Sequence, residues 1–150
     1  MMRYVIMILL ALGMLLQGEA RAAAIPPEPD SPPVAAYKRF ANAFIYGELK
    51  LAHALAQGKA QEVVEKKRAL VEKGLKIPKV KEPMFMIIGE KLHNKGNKAD
   101  VHAMQIVQPD TGKSFEPRAL HRQVVTLIKN SQGQWIVTKF HDDLEKCCDE

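Results

Sequence analysis

The sequence has only two cysteines, and they are neighbours in the chain. Cys147 and Cys148 are adjacent and lie close to the C-terminal end. A disulfide framework joins positions that are far apart in the chain, so no such framework can hold the core of this protein together. Four interpretations of the pair remain: a vicinal disulfide, a cross-link between two chains, a soft-metal site, or a tail whose thiols have no role.

Motifs for metal binding and catalysis are also missing. The five histidines show none of the H-x-H or H-E-x-x-H spacings, and there is no C-x-x-C pair. Gly112-Lys113-Ser114 resembles the end of a phosphate-binding loop. However, Val107 stands where the first glycine of that motif belongs, and Pro117 follows where a helix should begin. The sequence therefore predicts no metal site and no cofactor.

Charge of one sign does not cluster along the chain. Lysine and arginine number 22 against 17 aspartates and glutamates, and the formal net charge is +5. Basic residues are scattered among acidic ones, which is typical of a solvated surface and argues against nucleic-acid binding. The modest excess of positive charge is compatible with an anionic partner, such as an acidic ligand or a membrane surface.

A long apolar run occurs only at the N-terminus. Arg3 precedes an apolar stretch over residues 4–16, and an alanine-rich stretch follows through Ala24. This order is that of a secretory signal peptide over residues 1–24, cleaved after Ala22 or Ala24. The apolar stretch is shorter than the ~20 residues that a membrane-spanning helix needs. We therefore predict a periplasmic or secreted protein with no stable membrane span after cleavage.

Cleavage can be tested directly on the exported protein. Mass spectrometry is expected to find Ala23 or Ile25 at its N-terminus, because the enzyme that removes signal peptides cuts after an Ala-x-Ala series. An intact Met1 on the exported protein would contradict this prediction and would indicate an uncleaved membrane anchor.

The rest of the chain divides into a proline-rich linker (25–33), one domain (34–141) and an acidic tail with the two cysteines (142–150). Prolines fix φ and remove backbone donors, so the linker is expected to be extended. Ser31 followed by Pro32 has the form of a helix N-cap and first helical residue. Apolar periodicity then predicts three helical segments. The first starts at Val34, the second covers residues 48–57, and the third covers residues 59–73.

After Pro83 the period of the apolar pattern changes from about 3.6 residues, typical of a helix, to about 2 residues, typical of a strand. Four strands are predicted, over residues 84–93, 98–107, 119–129 and 134–141. Helices followed by consecutive antiparallel strands predict an α+β domain. Its N-terminal helices would pack on one face of a curved four-stranded antiparallel sheet.

Three stretches of the sequence resemble the nuclear transport factor 2-like superfamily of cone-shaped α+β domains. They are the helix with Phe40 and Phe44, the small-residue run 52–58, and the closing strand 133–140, in which Trp135 follows a turn glycine. The resemblance covers about residues 34–141 and implies an exported bacterial member. Exported members include ligand-binding, scaffold and secretion-assembly domains, and other members are isomerases or dehydratases. We expect Trp135 to be largely buried between sheet and helices.

A pocket mouth is predicted where the third strand begins with polar residues. A tight turn at Lys95-Gly96 would place His102 opposite Gly89, and a small opposing residue gives the imidazole room. His121 and Gln123 share a face with the apolar residues that end the strand, as expected for the open end of a cone. The predicted ligand-binding residues are Glu90, His102, His121, Arg122 and Lys139, with His141 nearby.

Two functions are consistent with these residues. The preferred one is an exported, non-enzymatic binding or scaffold domain, which takes a small apolar ligand or a partner protein on its pocket or sheet face. The alternative is a small cyclase or isomerase-type enzyme with His102 or Asp100 as general base. Isomerases of the superfamily combine a carboxylate base with a tyrosine or protonated carboxyl group, and no such set can be assigned in this sequence.

Both faces of the first strand are apolar over residues 84–88. One face can cover the helices, and the other also needs cover, from a partner protein, a second copy or the proline-rich segment. We therefore predict a homodimer formed through the sheet, or a complex with a periplasmic protein.

Overall fold

The computed structural model describes residues 28–113 and 118–145. The predicted signal peptide, the start of the linker and both cysteines lie outside these residues. Within them, no helix is long and apolar enough to cross a membrane.

Three helices come first, namely α1 (Pro32–Tyr46), α2 (Leu49–Ala54) and α3 (Lys59–Glu72). The Ser31 hydroxyl accepts a hydrogen bond from the Val34 N–H at 3.4 Å and so caps α1, as predicted. Gly47 ends α1 with a φ of 75°, a left-handed conformation that favours glycine. The first helix thus begins at Pro32, before the predicted domain boundary at Val34.

Four strands follow, namely β1 (Met84–His93), β2 (Lys98–Val107), β3 (Ala119–Lys129) and β4 (Trp135–Glu145). They form one antiparallel sheet in the order β1-β2-β3-β4. The predicted α+β class and the bounds of the first three strands are confirmed. The fourth strand continues past His141, and Asp142–Glu145 pair with β3 where the sequence predicted the start of a tail.

The register of the first hairpin agrees with the prediction. His102 lies opposite Gly89, and Asp100 lies opposite Lys91. A bulge between Ile87 and Gly89 then inserts Ile88 as an extra residue. Such bulges bend a strand and increase its twist, which fits a curved sheet.

The helices cover one face of the sheet, and the main core lies between the two layers. Fully buried side chains include Phe40 and Val64 from the helices and Val101, Val125 and Leu127 from the strands. The opposite face, here called the outer face, is covered by none of the helices in residues 28–113 and 118–145. The free edge of β4 is partly covered, because the Gln57 N–H donates to the Val137 carbonyl at 2.8 Å. This contact protects the edge from pairing with another chain.

Trp135 is less buried than predicted. It is half-buried, it borders a surface cavity of about 300 Å³ beside Arg39, and the Lys129 ammonium group lies 5.2 Å from its ring centroid. We therefore expect Trp135→Ala to lower the free energy of unfolding by roughly 1–3 kcal/mol, below the ~3–5 kcal/mol typical of a fully buried aromatic residue. Urea denaturation measures this loss, and a value near zero would contradict any role of the ring in the core.

Candidate functional site

Two glutamines interrupt the apolar, helix-covered face of the sheet. Gln105 and Gln123 are each only 1% exposed. The Tyr37 hydroxyl donates to Gln123 Oε1 at 2.6 Å, and Gln123 Nε2 donates to Gln105 Oε1 at 2.8 Å. Burying polar groups in an apolar core is costly unless they are hydrogen-bonded. This chain of bonds therefore joins α1 to β2 and β3 by specific polar contacts.

Asp142 determines which group donates and which accepts in each hydrogen bond of this chain. Gln123 Nε2 also donates to Asp142 Oδ1, at 3.3 Å. An ionised carboxylate can only accept, so the Gln123 amide must turn its nitrogen towards Asp142 and its oxygen towards Tyr37. Gln105 then accepts from Gln123, and Gln105 Nε2 has no hydrogen-bond partner among the described residues.

The polar residues reach the surface at His121 and Asp142. His121 Nδ1 lies 3.1 Å from Asp142 Oδ1, and the two side chains are 17% and 24% exposed. Lys67 lies on the neighbouring helix α3, where its ammonium group donates to the Phe44 carbonyl and lies 4.1 Å from the Phe44 ring centroid. These side chains form what we call the polar cluster: Tyr37, Lys67, Gln105, His121, Gln123 and Asp142.

Burial changes the proton affinity of two members of the cluster. Burial raises the pKa of the Tyr37 phenol far above its ordinary value of 10.0, and the negative charge of Asp142 adds to this effect. Tyr37 therefore remains a hydrogen-bond donor at any physiological pH. Burial lowers the pKa of Lys67, against the opposing attraction of Asp142.

One solved structure shows the fold. A ketosteroid isomerase-like protein from Erwinia carotovora atroseptica SCRI1043 aligns with a TM-score of 0.57 and 13% identity, over 77% of this chain and 95% of that one. Ketosteroid isomerase-like proteins belong to the nuclear transport factor 2-like superfamily. The chain has a nuclear transport factor 2-like fold.

Other comparisons add little to that assignment. A ketosteroid isomerase candidate from Shewanella frigidimarina NCIMB 400 aligns with a TM-score of 0.47 and 17% identity, over 76% of this chain and 96% of that chain. No protein-family model and no curated protein matches the chain. Identities this low show the fold alone, so function has to be argued from the residues.

In this nuclear transport factor 2-like fold, the polar cluster lies inside the cone, between helices and sheet. Only His121 among the predicted ligand-binding residues belongs to it. Glu90 instead accepts hydrogen bonds of 2.8 Å from the Ser31 hydroxyl at the start of α1. The remaining three are exposed, and strand alternation places them on the outer side of the sheet. They are His102, Arg122 and Lys139.

The predicted residues are therefore not gathered at one mouth, and His121 is the only predicted ligand-binding residue that the cluster contains. Strand alternation already placed Gln123 on the face of the apolar residues, and the same alternation places Gln105 among the inward residues of β2. Asp142 carries no such signal of an inward position, because it stands in an acidic stretch whose composition is that of a solvated tail. His141 bonds Asp143 at 3.0 Å on the exposed side. Within the described ranges, no three histidine, cysteine, aspartate or glutamate side chains are placed to hold a metal ion.

Asp100, the other predicted base, forms a structural contact on the outer face. Its carboxylate lies 2.8 Å from His93 Nε2 and accepts a hydrogen bond of 2.7 Å from the Thr126 hydroxyl. Burial alone would raise the pKa of Asp100, but the bonds from Thr126 and His93 and the charge of Lys98 outweigh it and lower the pKa. A carboxylate with a lowered pKa is a weaker base.

Asp100→Asn is expected to lower the free energy of unfolding at neutral pH and to have no such effect in strong acid. The folded-state pKa lies below the ordinary value of 3.8, so the carboxylate stabilises the fold above pH 3.8. This stabilisation is lost as the pH falls through the folded-state pKa. Urea denaturation at pH 7 and pH 2 measures it, with Asp110→Asn in an exposed loop as the control. An equal loss at both pH values would contradict the prediction.

Proposed function

We propose that the chain is a binding domain whose polar cluster recognises a small, mainly apolar molecule that carries one hydrogen-bond acceptor, such as a carbonyl oxygen. One observation carries the proposal. Gln105 Nε2 is a buried donor that the cluster leaves without a partner. A buried donor left unpaired costs ~1–3 kcal/mol, and an acceptor on a bound molecule would remove that cost.

The position of Gln105 favours a ligand with an apolar body. Its neighbours in the sheet are Phe85 on β1 and His121 on β3. Phe85 packs edge-on against Tyr37, with ring centroids 5.7 Å apart. Gln105 thus lies between two aromatic neighbours in the sheet, and the partly exposed pair of His121 and Asp142, 17% and 24% exposed, would be the route from solvent. Such a combination of apolar walls and few polar groups is typical of small-molecule sites.

The test uses 6-propionyl-2-dimethylaminonaphthalene, a neutral fluorescent ketone whose emission moves to shorter wavelength in apolar surroundings. We expect saturable binding with a blue shift. In NMR spectra, the side-chain amide signal of Gln105 is expected to move as the ketone is added. That signal is assigned by its absence in Gln105→Met, which should bind the ketone roughly 5–10-fold more weakly, the value of one hydrogen bond.

Gln134→Met provides the matched control, because it makes the same change at an exposed position. It should bind the ketone as the unmodified protein does. The proposal is wrong if the ketone shows no saturable binding, or if the Gln105 amide signal stays in place while other signals move.

Proton-transfer catalysis with His102 or Asp100 as base has less support. Both residues lie on the outer side of the sheet, whereas the polar cluster lies on the helix-covered side. His102 is exposed and faces Gly89 and Val124 in neighbouring strands. Asp100 is held by His93 and Thr126. A general base has to reach the proton that it abstracts, and neither residue faces the interior of the cone.

A further inference from the structure

A groove lies between helix α3 and strands β3 and β4. This groove has a volume of about 500 Å³. Small-molecule sites commonly have ~300–1,000 Å³, so the groove is large enough for a ligand. It is separate from the polar cluster, none of whose residues line it.

Apolar side chains form part of the groove wall. Val63 comes from α3, and Val124 and Phe140 come from the sheet. Val124 lies on the outer face and is 36% exposed. Apolar area that stays in contact with water favours an occupant with an apolar body.

Three lysines surround these apolar residues. Lys59 and Lys66 lie on α3, and Lys139 lies on β4. None of the three ammonium groups has an ion-pair or hydrogen-bond partner within the described part of the chain. Among the described residues that line the groove, Glu62 is the only acidic one, so this lining is net cationic. An anionic group placed there would reduce the repulsion among the lysines.

We propose that this groove binds a free amphipathic organic anion, with the apolar tail on Val63, Val124 and Phe140 and the anionic head among the three lysines. The positive charge of the lysines favours an anionic head group, and the exposed apolar area of the groove favours an apolar tail. A neutral molecule of the same shape would lack the attraction to the lysines, and a short anion would lack the burial of apolar area. The proposal concerns a site different from the polar cluster and does not depend on it.

The test compares decanoate with decan-1-ol and acetate, using NMR titration of the ¹⁵N-labelled protein at low ionic strength. Decanoate is expected to bind saturably and to move the amide signals of Val63, Val124 and Phe140. Decan-1-ol and acetate should each bind at least about tenfold more weakly. Added salt should weaken decanoate binding, because the lysines are exposed and therefore screened.

The double variant Lys66→Gln/Lys139→Gln isolates the charge contribution. Each exposed charge is expected to change the affinity by roughly 2–5-fold, so the pair should weaken decanoate binding by about tenfold and leave decan-1-ol binding unchanged. Lys73→Gln is the matched control, since Lys73 is an exposed lysine that follows α3 and does not line the groove. It should bind decanoate as the unmodified protein does.

Three results would overturn the proposal. They are equal binding of decanoate and decan-1-ol, unchanged affinity in the double variant, and signal changes confined to Gln105 and His121. Binding to anionic phosphatidylglycerol vesicles without binding to decanoate would also overturn it in favour of a membrane surface. These outcomes are independent of the ketone titration, which reports on Gln105 inside the cone.

Discussion

Phe40→Ala is expected to remove about 3–5 kcal/mol from the free energy of unfolding. Phe40 is fully buried in α1. Its ring centroid lies 5.0 Å from that of Phe140 on β4 and 6.1 Å from that of Phe44. The substitution would leave a cavity at the point where the first helix meets the last strand. Domains of this size are stable by only ~5–15 kcal/mol, so the loss would be a large share of the total.

Tyr46→Ala is the matched control for this prediction. Tyr46 ends the same helix and is 41% exposed, so its removal should cost less than about 1 kcal/mol. Urea denaturation of both variants provides the comparison. A loss for Phe40→Ala that is no larger than the loss for Tyr46→Ala would contradict the packing of α1 against the sheet.

The fold was largely predictable because its signals are local. Strand-like apolar patterns after Pro83 mark β1, β2 and β3, and Ser31 followed by Pro32 marks the start of α1. Each of these features depends on residues that are close together in the sequence. The superfamily-level resemblance rested on the same local patterns, and it is confirmed at the level of the fold.

The candidate site was largely unpredictable because its contacts are remote in sequence. Tyr37 and Gln123 are 86 residues apart, and neither has a local partner that would reveal the bond between them. Asp142 illustrates the same point. An acidic run near the end of a chain has the composition of a solvated tail, but His121 and Gln123 hold Asp142 in the sheet. Only the strand pairing shows why these polar residues lie in the interior.

The bulge at Ile88 is another feature that alternation could not show. An inserted residue changes the register without changing the composition of the strand. Both faces of β1 are apolar in the sequence, but in the structure only one of the two faces packs against the core. Phe85 and Ile87 pack against the core, whereas Met86 and Ile88 are 57% and 58% exposed on the outer side.

Ile87→Glu and Ile88→Glu are therefore expected to have opposite effects, although the two residues are adjacent. Ile87 is half-buried against the core, and a carboxylate placed there would be removed from water with no partner. We expect Ile87→Glu to unfold the domain. Ile88 is exposed, so Ile88→Glu should leave the circular dichroism spectrum and the urea midpoint of the chain close to those of the unmodified protein.

The oligomeric state of Ile88→Glu then tests the predicted homodimer. An apolar area on the outer side of the sheet stays exposed among the described residues; it is formed by Met84, Met86, Ile88 and Val124. A second copy packed by two-fold symmetry would cover both such areas at once, and a stable interface should bury roughly 1,200–2,000 Å² in total. Two glutamates brought together at that interface would repel each other without solvent to screen them. Light scattering at tens of micromolar should give a dimer for the unmodified protein and a folded monomer for Ile88→Glu. A monomer in both cases would rule out the dimer and leave the outer side to another partner.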